Sequence, residues 1–201
     1  MITFWYDPVC PYAYVAFERL PQALMGLSID VRYRPVSLVA LTDRNDRPGL
    51  TLRPDQRDWT YHHVRWLAHH HDIRLDLPSA HPFNSLPLLY LSLAATTSDM
   101  PGETNRYVTE QLFHHVWHGA ADATEPTRLA SLQALLQDHM AQRQKPWVEP
   151  SSEAVKQRLR DNADTALAAG VFDVPTFTCD GRIFGGQDAL YMLRAYLEGD
   201  S

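Results

Sequence analysis

Cysteine, basic charge and long apolar runs are all scarce in this sequence, and each shortage excludes a class of protein. Two cysteines, Cys10 and Cys179, cannot make a disulfide framework and are typical of a reducing compartment. The net charge of −6 leaves no basic excess to neutralise nucleic-acid phosphates. No apolar run approaches the roughly 18 residues that a membrane span needs. The first residues contain neither the basic nor the apolar region of a secretory signal, so we expect a cytoplasmic protein.

The 201 residues are 45% hydrophobic and 21% charged, which is enough apolar material for a packed core. Residues 2–6 form an apolar run that predicts a buried strand, and residues 11–26 follow with helical spacing. Pro21 is expected to kink or split this helix. Residues 28–35 alternate apolar with charged side chains and predict a second strand with one solvated face. The chain therefore opens as β-α-β.

The middle of the chain carries helical patterns. Residues 36–54 are predicted to be a loop, because they contain a cluster of turn-forming residues. Strand signals return only near the end, where the turn Asp180-Gly181 joins two short runs, and an amphipathic helix follows. The order predicts an α/β core with an all-helical insertion. The helical patterns lie at about residues 55–72, 83–98, 101–118, 125–142, 151–170 and 187–197, and the late strands at 176–179 and 182–184.

Cys10 lies where the first strand meets the first helix, in Asp7-Pro-Val-Cys-Pro-Tyr-Ala-Tyr14. Free N–H groups and the dipole at a helix N-terminus stabilise an anion, so we expect a lowered pKa for this thiol. The same position also suits the reactive sulfur of a ligand. The alternative is that Cys10 is a small buried side chain without chemistry.

A second redox sulfur is missing from this segment. The motif Cys-X-X-Cys would place it at the position of Ala13. Cys179 is the only other thiol in the sequence, and we predict that it is structural and lies at the strand end away from Cys10. A cycle between two thiols of this chain is therefore not expected.

Ten histidines raise the question of a metal site. His114 and His118 are four positions apart on one predicted helix, and residues 69–71 are consecutive histidines. The sequence contains no His-Glu-X-X-His motif, and no carboxylate or cysteine completes a recognisable ligand set. We therefore predict solvated helix histidines and no metal.

Three segments together resemble a known family in which they occur in the same order. They are Phe4-Trp-Tyr-Asp-Pro-Val-Cys-Pro-Tyr-Ala-Tyr-Val-Ala16, Pro82-Phe-Asn-Ser-Leu-Pro87, and Gly170-Val-Phe-Asp-Val-Pro-Thr-Phe177, which leads into Phe184-Gly-Gly-Gln-Asp188. The resemblance is to the DsbA-type thioredoxin fold and, within it, to 2-hydroxychromene-2-carboxylate isomerases and kappa-class glutathione transferases. Each segment is modest alone, but together they span nearly the whole chain.

The resemblance implies an α/β thioredoxin-like fold of the DsbA type with an all-helical insertion domain. Residues 1–37 and 151–201 would form the thioredoxin-like domain, and residues 38–150 the insertion. It also implies glutathione as the cofactor, a small-molecule substrate and a homodimer.

The resemblance further assigns roles to particular positions. Cys10 stands where the family usually has a serine whose hydroxyl binds the glutathione thiolate. Val174, before a cis Pro175, would pair its backbone with the cysteinyl part of glutathione. Gln187 and Asp188 would hold the γ-glutamyl end, since Asp188 suits its ammonium and the helix N-terminus suits its carboxylate.

Substrate contacts are implied at Asn84 and Ser85, which resemble an Asn-Ser/Thr pair of the family; their alternative role is to cap a helix. Tyr12 is expected either to line the substrate pocket or to pack in the core. The family also places an asparagine and a lysine after the second strand, for substrate and glutathione carboxylates. This chain offers no clean match there; the candidates are Asn45 or Asp46, then Arg53 or Arg57.

These assignments support three hypotheses. The first is a glutathione-dependent isomerase or transferase that acts on an aromatic or α,β-unsaturated carboxylate by reversible addition of glutathione thiolate. The second is a DsbA-like oxidoreductase that works with one thiol, Cys10, through a mixed disulfide with glutathione. The third is a thioredoxin-fold binding protein without chemistry. Cys10 favours the second hypothesis, whereas Ala13 and the isomerase-like segments favour the first.

Overall fold

The computed structural model describes residues 1–44, 54–96 and 100–199. Strands and helices alternate at the start, helices fill the middle, and a hairpin and a helix follow, which confirms the predicted α/β fold. The elements are β1 (Ile2–Tyr6), α1 (Pro11–Ala23), β2 (Val31–Pro35), α2 (Leu38–Arg44), α3 (Pro54–His70), α4 (Leu86–Ala94), α5 (Arg106–Trp117), α6 (Pro126–Gln142), α7 (Glu153–Ala168), β3 (Thr176–Cys179), β4 (Arg182–Gly185) and α8 (Ala189–Glu198).

The four strands form one sheet in the order β2-β1-β3-β4. β1 pairs with β2 in parallel, whereas β3 runs antiparallel to both β1 and β4. Ile2 lies opposite Cys179, and Trp5 lies opposite Thr176. The carboxyl ends of β1, β2 and β4 therefore meet the start of β3 at one edge, which we call the carboxyl edge. Cys10 follows β1 at this edge, and Cys179 lies at the opposite edge, as predicted.

Aromatic rings connect the sheet to the helices. Phe4 of β1 stacks on Phe177 of β3 with ring centroids 5.0 Å apart, and on Tyr6 at 5.5 Å. Tyr6 meets Phe113 of α5 at 5.4 Å, and Phe113 meets Phe17 of α1 at 5.2 Å. All five side chains are fully buried. The sheet, α1 and α5 thus share one close-packed core, and this core fixes where α1 begins.

Helix α2 contradicts the prediction of a loop over residues 36–54. Leu38 and Leu41 are buried at helical spacing. The N–H of Leu38 donates to the carboxylate of Asp7 over 2.9 Å, so the start of the helix is held by a residue 31 positions earlier. A turn-rich local sequence does not reveal such a distant partner. Residues 45–53 lie outside the described part of the chain.

Pro21 does not split α1 as expected. It lies in the last turn, and the helix continues only to Ala23, so the lost hydrogen bond falls at an end that already frays.

Helix α4 is shorter than the predicted 83–98, since it begins at Leu86 and ends at Ala94. Within the described ranges, none of the helices combines the length and the apolar character needed to cross a bilayer.

Candidate functional site

Cys10 closes a short turn between β1 and α1. Its N–H donates to the carbonyl of Asp7 over 3.0 Å, and the helix begins at Pro11. The indole of Trp117, fully buried on α5, donates to the carbonyl of Pro8 over 3.0 Å. The turn is therefore held both by its own backbone and by the neighbouring helix.

His81 holds the next carbonyl of the same turn. Its Nε2 donates to the carbonyl of Val9 over 2.8 Å, and its Nδ1 accepts from the hydroxyl of Tyr61 on α3 over 2.7 Å. Burial lowers the pKa of His81, the bond to Val9 opposes this, and the charge of Arg57 lowers it further. The ring is therefore neutral at pH 7, with its proton on Nε2. Arg57, predicted to bind glutathione, is exposed on α3 near this pair.

The thiol of Cys10 is a neutral hydrogen-bond donor. It is 5% exposed, and its Sγ donates to the carbonyl of Val174 over 3.3 Å. Burial raises its pKa to about 12, although backbone N–H groups at the start of α1 oppose the shift, and the charges of Asp173 and Asp7 add to it. The expected lowering of this pKa is therefore wrong, because burial outweighs the helix N-terminus.

Pro175 lies beside this thiol, at the start of β3. The Val174–Pro175 bond is cis, as the family resemblance implies. Val174 uses both of its backbone polar groups within the chain, because its carbonyl accepts from Cys10 and its N–H donates to the carboxylate of Asp173 over 2.7 Å. A peptide ligand that pairs with Val174 must replace at least one of these bonds.

Gln187 and Asp188 precede α8 at the same edge. Gln187 is 4% exposed, whereas Asp188 is exposed at the N-cap of the helix. The amide Nε2 of Gln187 donates to Oδ1 of Asp188, and Oε1 of Gln187 accepts from Arg19 of α1 over 2.6 Å. The two residues predicted to hold the γ-glutamyl end thus bond to each other and to a buried arginine.

Tyr12 is half-buried between Cys10 and α3. Tyr12 lies two positions after Cys10 on α1; burial raises the pKa of its hydroxyl, and the nearby carboxylate of Asp188 adds to the shift. The hydroxyl also shares a hydrogen bond with Nδ1 of His63 over 3.0 Å. The carboxyl edge therefore brings Tyr12 together with most of the predicted glutathione residues.

Asp7 is a buried carboxylate next to the thiol turn. It is fully buried and accepts from the N–H of Val9 over 3.1 Å, from the N–H of Leu38 over 2.9 Å and from the hydroxyl of Ser85 over 3.0 Å. Burial raises its pKa to about 6, and these three bonds oppose the shift. Asp7 therefore joins the turn, α2 and the start of α4.

Asn84 and Ser85 differ in what they do at the start of α4. The side-chain oxygen of Asn84 accepts from the N–H of Leu86 over 3.1 Å, which is the alternative capping role. Ser85 occupies the N-cap position but makes no capping bond, since its hydroxyl turns to Asp7. Both line a cleft of about 350 Å³ between α2, α4 and α7, together with Phe83, Tyr90 and Lys156.

The histidines make contacts within the helical part of the chain. His114 lies 3.4 Å from the carboxylate of Glu18, and His118 shares a hydrogen bond of 3.0 Å with the hydroxyl of Tyr14. The prediction that these two are simply solvated is therefore wrong. In the ranges that the structure covers, no group of three or more His, Cys, Asp or Glu side chains is arranged to hold a metal ion.

The sequence patterns missed three residues that support the site. Asp7 was interpreted only as the end of a strand, although an acidic residue directly after an apolar run is a detectable signal. Arg19 is a charged residue on the buried face of α1 and could have been noticed there. His81 had no local signal. Of the other predicted site residues, Asn45 and its alternative Asp46 lie outside the described residues, as does Arg53, the alternative to Arg57.

These features define a class of protein: a thioredoxin fold in which one cysteine, at the start of the first helix, faces a cis-proline. The family follows from a direct comparison. Residues 1–198 match the model of the DSBA-like thioredoxin domain, and the chain belongs to this family.

Named relatives cover almost the whole chain. Glutathione S-transferase kappa 1 of Rattus norvegicus is 24% identical over 208 residues, covering 100% of this chain and 91% of that protein. The 2-hydroxychromene-2-carboxylate isomerase of Pseudomonas sp. (strain C18) is 27% identical over 206 residues, covering 99% and 91%. A solved structure of a 2-hydroxychromene-2-carboxylate isomerase superposes with a TM-score of 0.79 at 20% identity, over 98% of this chain and 94% of that one. Its identity is low, so this likeness shows the fold.

Proposed function

We propose that the protein is a glutathione-dependent isomerase or transferase that acts on an aromatic or α,β-unsaturated carboxylate, in the manner of 2-hydroxychromene-2-carboxylate isomerase. The observation that carries the proposal is the state of Cys10: a buried, neutral thiol that donates a hydrogen bond beside a cis-proline. A neutral donor suits the binding of another molecule's thiolate, whereas a redox cysteine must itself become a thiolate. The names of the relatives supply the reaction class.

The polar groups of the carboxyl edge fit a γ-glutamyl tripeptide. Asp188 offers an exposed carboxylate to the ammonium group, and the N-terminus of α8 suits the adjacent carboxylate. Val174 offers its backbone to the cysteinyl part, next to Pro175. Arg57 lies on the exposed face of α3, where it can pair with the other carboxylate of the peptide. When bound, glutathione supplies the thiolate nucleophile.

In this proposal, the chain's own residues position the ligand sulfur and stabilise its negative charge. The thiol of Cys10 turns from the carbonyl of Val174 and donates to the ligand sulfur, where the first N–H groups of α1 also stabilise negative charge. Tyr12, Asn84, Ser85 and Asn45 are the proposed substrate contacts. Among them, Asn84 and Ser85 line the cleft between α2, α4 and α7, whose apolar side chains suit an aromatic ring.

The test is the isomerisation of 2-hydroxychromene-2-carboxylate, followed by absorbance with and without glutathione. We expect turnover that requires glutathione, is retained in Cys10→Ser and falls about tenfold in Cys10→Ala, since a hydrogen bond to a charged group is lost. The Cys179→Ala protein is the matched control and should behave as the wild type. Turnover that is independent of glutathione, or glutathione that does not bind by calorimetry, would contradict the proposal.

A second candidate rests on one specific observation: a cysteine occupies the position where the family usually has serine. In a thiol–disulfide oxidoreductase, the Cys10 thiolate would attack glutathione disulfide, one glutathione would leave as its thiolate, and a Cys10–glutathione disulfide would form. Incubation of Cys179→Ala with glutathione disulfide, followed by intact mass, separates the candidates. A stable glutathione adduct would favour the oxidoreductase, and the unmodified mass is expected for the isomerase.

We propose a thioredoxin-like domain of residues 1–37 and 151–201 with a helical insertion of residues 38–150, a homodimer, and a location in the cytoplasm. The small number of cysteines supports the location. Sedimentation analysis of the purified protein measures the assembly, and a monomer at micromolar concentration would contradict the homodimer.

A further inference from the structure

Arg19 is a buried arginine on α1, at the contact with α8. It is 8% exposed, and Nη1 donates to Oε1 of Gln187 over 2.6 Å and to its carbonyl over 3.4 Å. The ring of Tyr191 lies 5.0 Å from the guanidinium carbon. No carboxylate within the described residues forms an ion pair with it. Burying a guanidinium group beside a neutral amide costs free energy, so its presence at this position needs a reason.

The bond to Arg19 determines which way the amide of Gln187 points. An arginine only donates hydrogen bonds and a carboxylate only accepts them, so Oε1 must face Arg19 and Nε2 must face Asp188. Gln187 is itself buried, and its side chain has little room to turn. A continuous chain of hydrogen bonds thus runs from the buried cation to the exposed carboxylate of Asp188.

This chain leaves one oxygen of Asp188 for a ligand. Oδ1 is occupied by Gln187, and Oδ2 has no bonding partner within the described residues. A carboxylate held through one oxygen presents the other in a fixed direction, which suits an ammonium group. Without Arg19, the buried Oε1 of Gln187 would lose its donor, and the amide that supports Asp188 would no longer be held from its other side.

We propose that Arg19 is a positioning residue that makes the site selective for a γ-glutamyl group, by orienting Asp188 through Gln187. The inference rests on the proposed glutathione site and adds the residue that determines its selectivity. Glutathione carries the γ-glutamyl ammonium group, whereas cysteinylglycine lacks the whole γ-glutamyl residue. The ratio of the two dissociation constants therefore measures the selectivity directly.

The experiment is calorimetric titration of the full chain with glutathione and with cysteinylglycine. In Arg19→Met we expect the ratio of dissociation constants to fall by about tenfold, the worth of one hydrogen bond to a charged group, through weaker glutathione binding alone. Arg194→Met is the matched control. Arg194 lies at the same contact of α1 with α8, donates to the carbonyls of Ala23 and Met25 over 2.9 and 3.1 Å, and pairs with Glu198 at 2.7 Å. This variant should lose stability but keep the ratio.

The outcomes are distinguishable. A wild-type protein that does not bind glutathione overturns the proposed function and this inference with it. Wild-type selectivity with an unchanged ratio in Arg19→Met overturns the inference alone. In the Asp188→Asn background, Arg19→Met should have no further effect on the ratio, and an undiminished effect would contradict a route through Asp188. If Arg19→Met does not fold, Gln187→Met breaks the same chain of bonds and must give the same loss of selectivity.

Discussion

The two edges of the sheet each hold a buried thiol, and comparing them shows what makes one of them a candidate site. Cys10 follows β1 at the carboxyl edge, and Cys179 ends β3 at the opposite edge. Burial raises the pKa of both thiols. Neither the presence of a buried thiol nor the direction of its pKa shift distinguishes the two edges.

The difference lies in the polar groups around each thiol. At the carboxyl edge, Asp7, His81 and Trp117 hold the backbone of the turn before Cys10. At the opposite edge, the Sγ of Cys179 lies 3.6 Å from the carboxylate of Asp180, in an exposed turn, and near the N-terminal ammonium group. Buried polar contacts that fix a backbone are expensive to maintain, so their concentration at one edge indicates where function constrains the fold.

The largest expected effect is on thiol reactivity. In Cys179→Ala at pH 7.5, Cys10 should react with iodoacetamide at least about a hundredfold more slowly than in the same protein unfolded in denaturant, because its thiolate fraction is very small. The Cys10→Ala protein gives the reaction rate of Cys179 for comparison. A rate that rises with a midpoint below about pH 8.5 would show an acidic thiol and would favour the oxidoreductase.

The second effect is on stability, through Asp7. Its pKa is raised from 3.8 to about 6, so the folded state binds the proton more tightly than the unfolded state. The stability contributed by this proton is present at about pH 4 and is lost as pH rises through 6. Urea denaturation should show the wild type losing up to about 3 kcal/mol relative to Asp7→Asn between pH 4 and 7. The exposed Asp180→Asn serves as control, and parallel pH profiles for wild type and Asp7→Asn would contradict the assignment.

A smaller effect separates the buried Trp117 from the half-buried Trp147. Trp117→Phe leaves the carbonyl of Pro8 without its donor, so it should cost about 1–2 kcal/mol more than the loss of ring volume alone. Trp147→Phe gives the cost of the smaller ring at a half-buried position, where the indole N–H has no hydrogen-bond partner in the described structure. Equal losses in urea denaturation would mean that the bond to Pro8 does not stabilise the turn.

Local sequence patterns predicted the strands and turns that are determined by residues only a few positions apart. The alternation of apolar and charged residues in β2 and the turn between β3 and β4 are both visible within a few positions. Helix α2 was missed because the carboxylate that holds its first N–H belongs to Asp7. The same reason explains the wrong expectation for Cys10, since its Sγ is covered by the folded chain and donates to Val174, 164 positions away.

Two features of the sequence predicted residues of the candidate site. The helix N-terminus drew attention to Cys10, and the family resemblance supplied Val174, Gln187 and Asp188 as glutathione residues, roles that stay predictions. Neither source could supply Arg19, because its importance lies in a contact with a residue 168 positions later. Sequence patterns thus indicate which residues carry chemistry, whereas the residues that orient them emerge only from packing.

The smallest expected effect concerns Asn84, whose side chain both caps α4 and lines the cleft. Asn84→Ala should cost about 1 kcal/mol in urea denaturation, the usual worth of a helix cap. Ser152, the N-cap residue of α7, accepts from the N–H of Val155, so Ser152→Ala should also lose about 1 kcal/mol. If Asn84 also binds substrate, only Asn84→Ala should raise the KM for the carboxylate substrate, by about fivefold for one neutral hydrogen bond. A KM that is equal in the two variants would leave Asn84 a structural cap, and the contacts at the carboxyl edge would then have to orient the substrate without it.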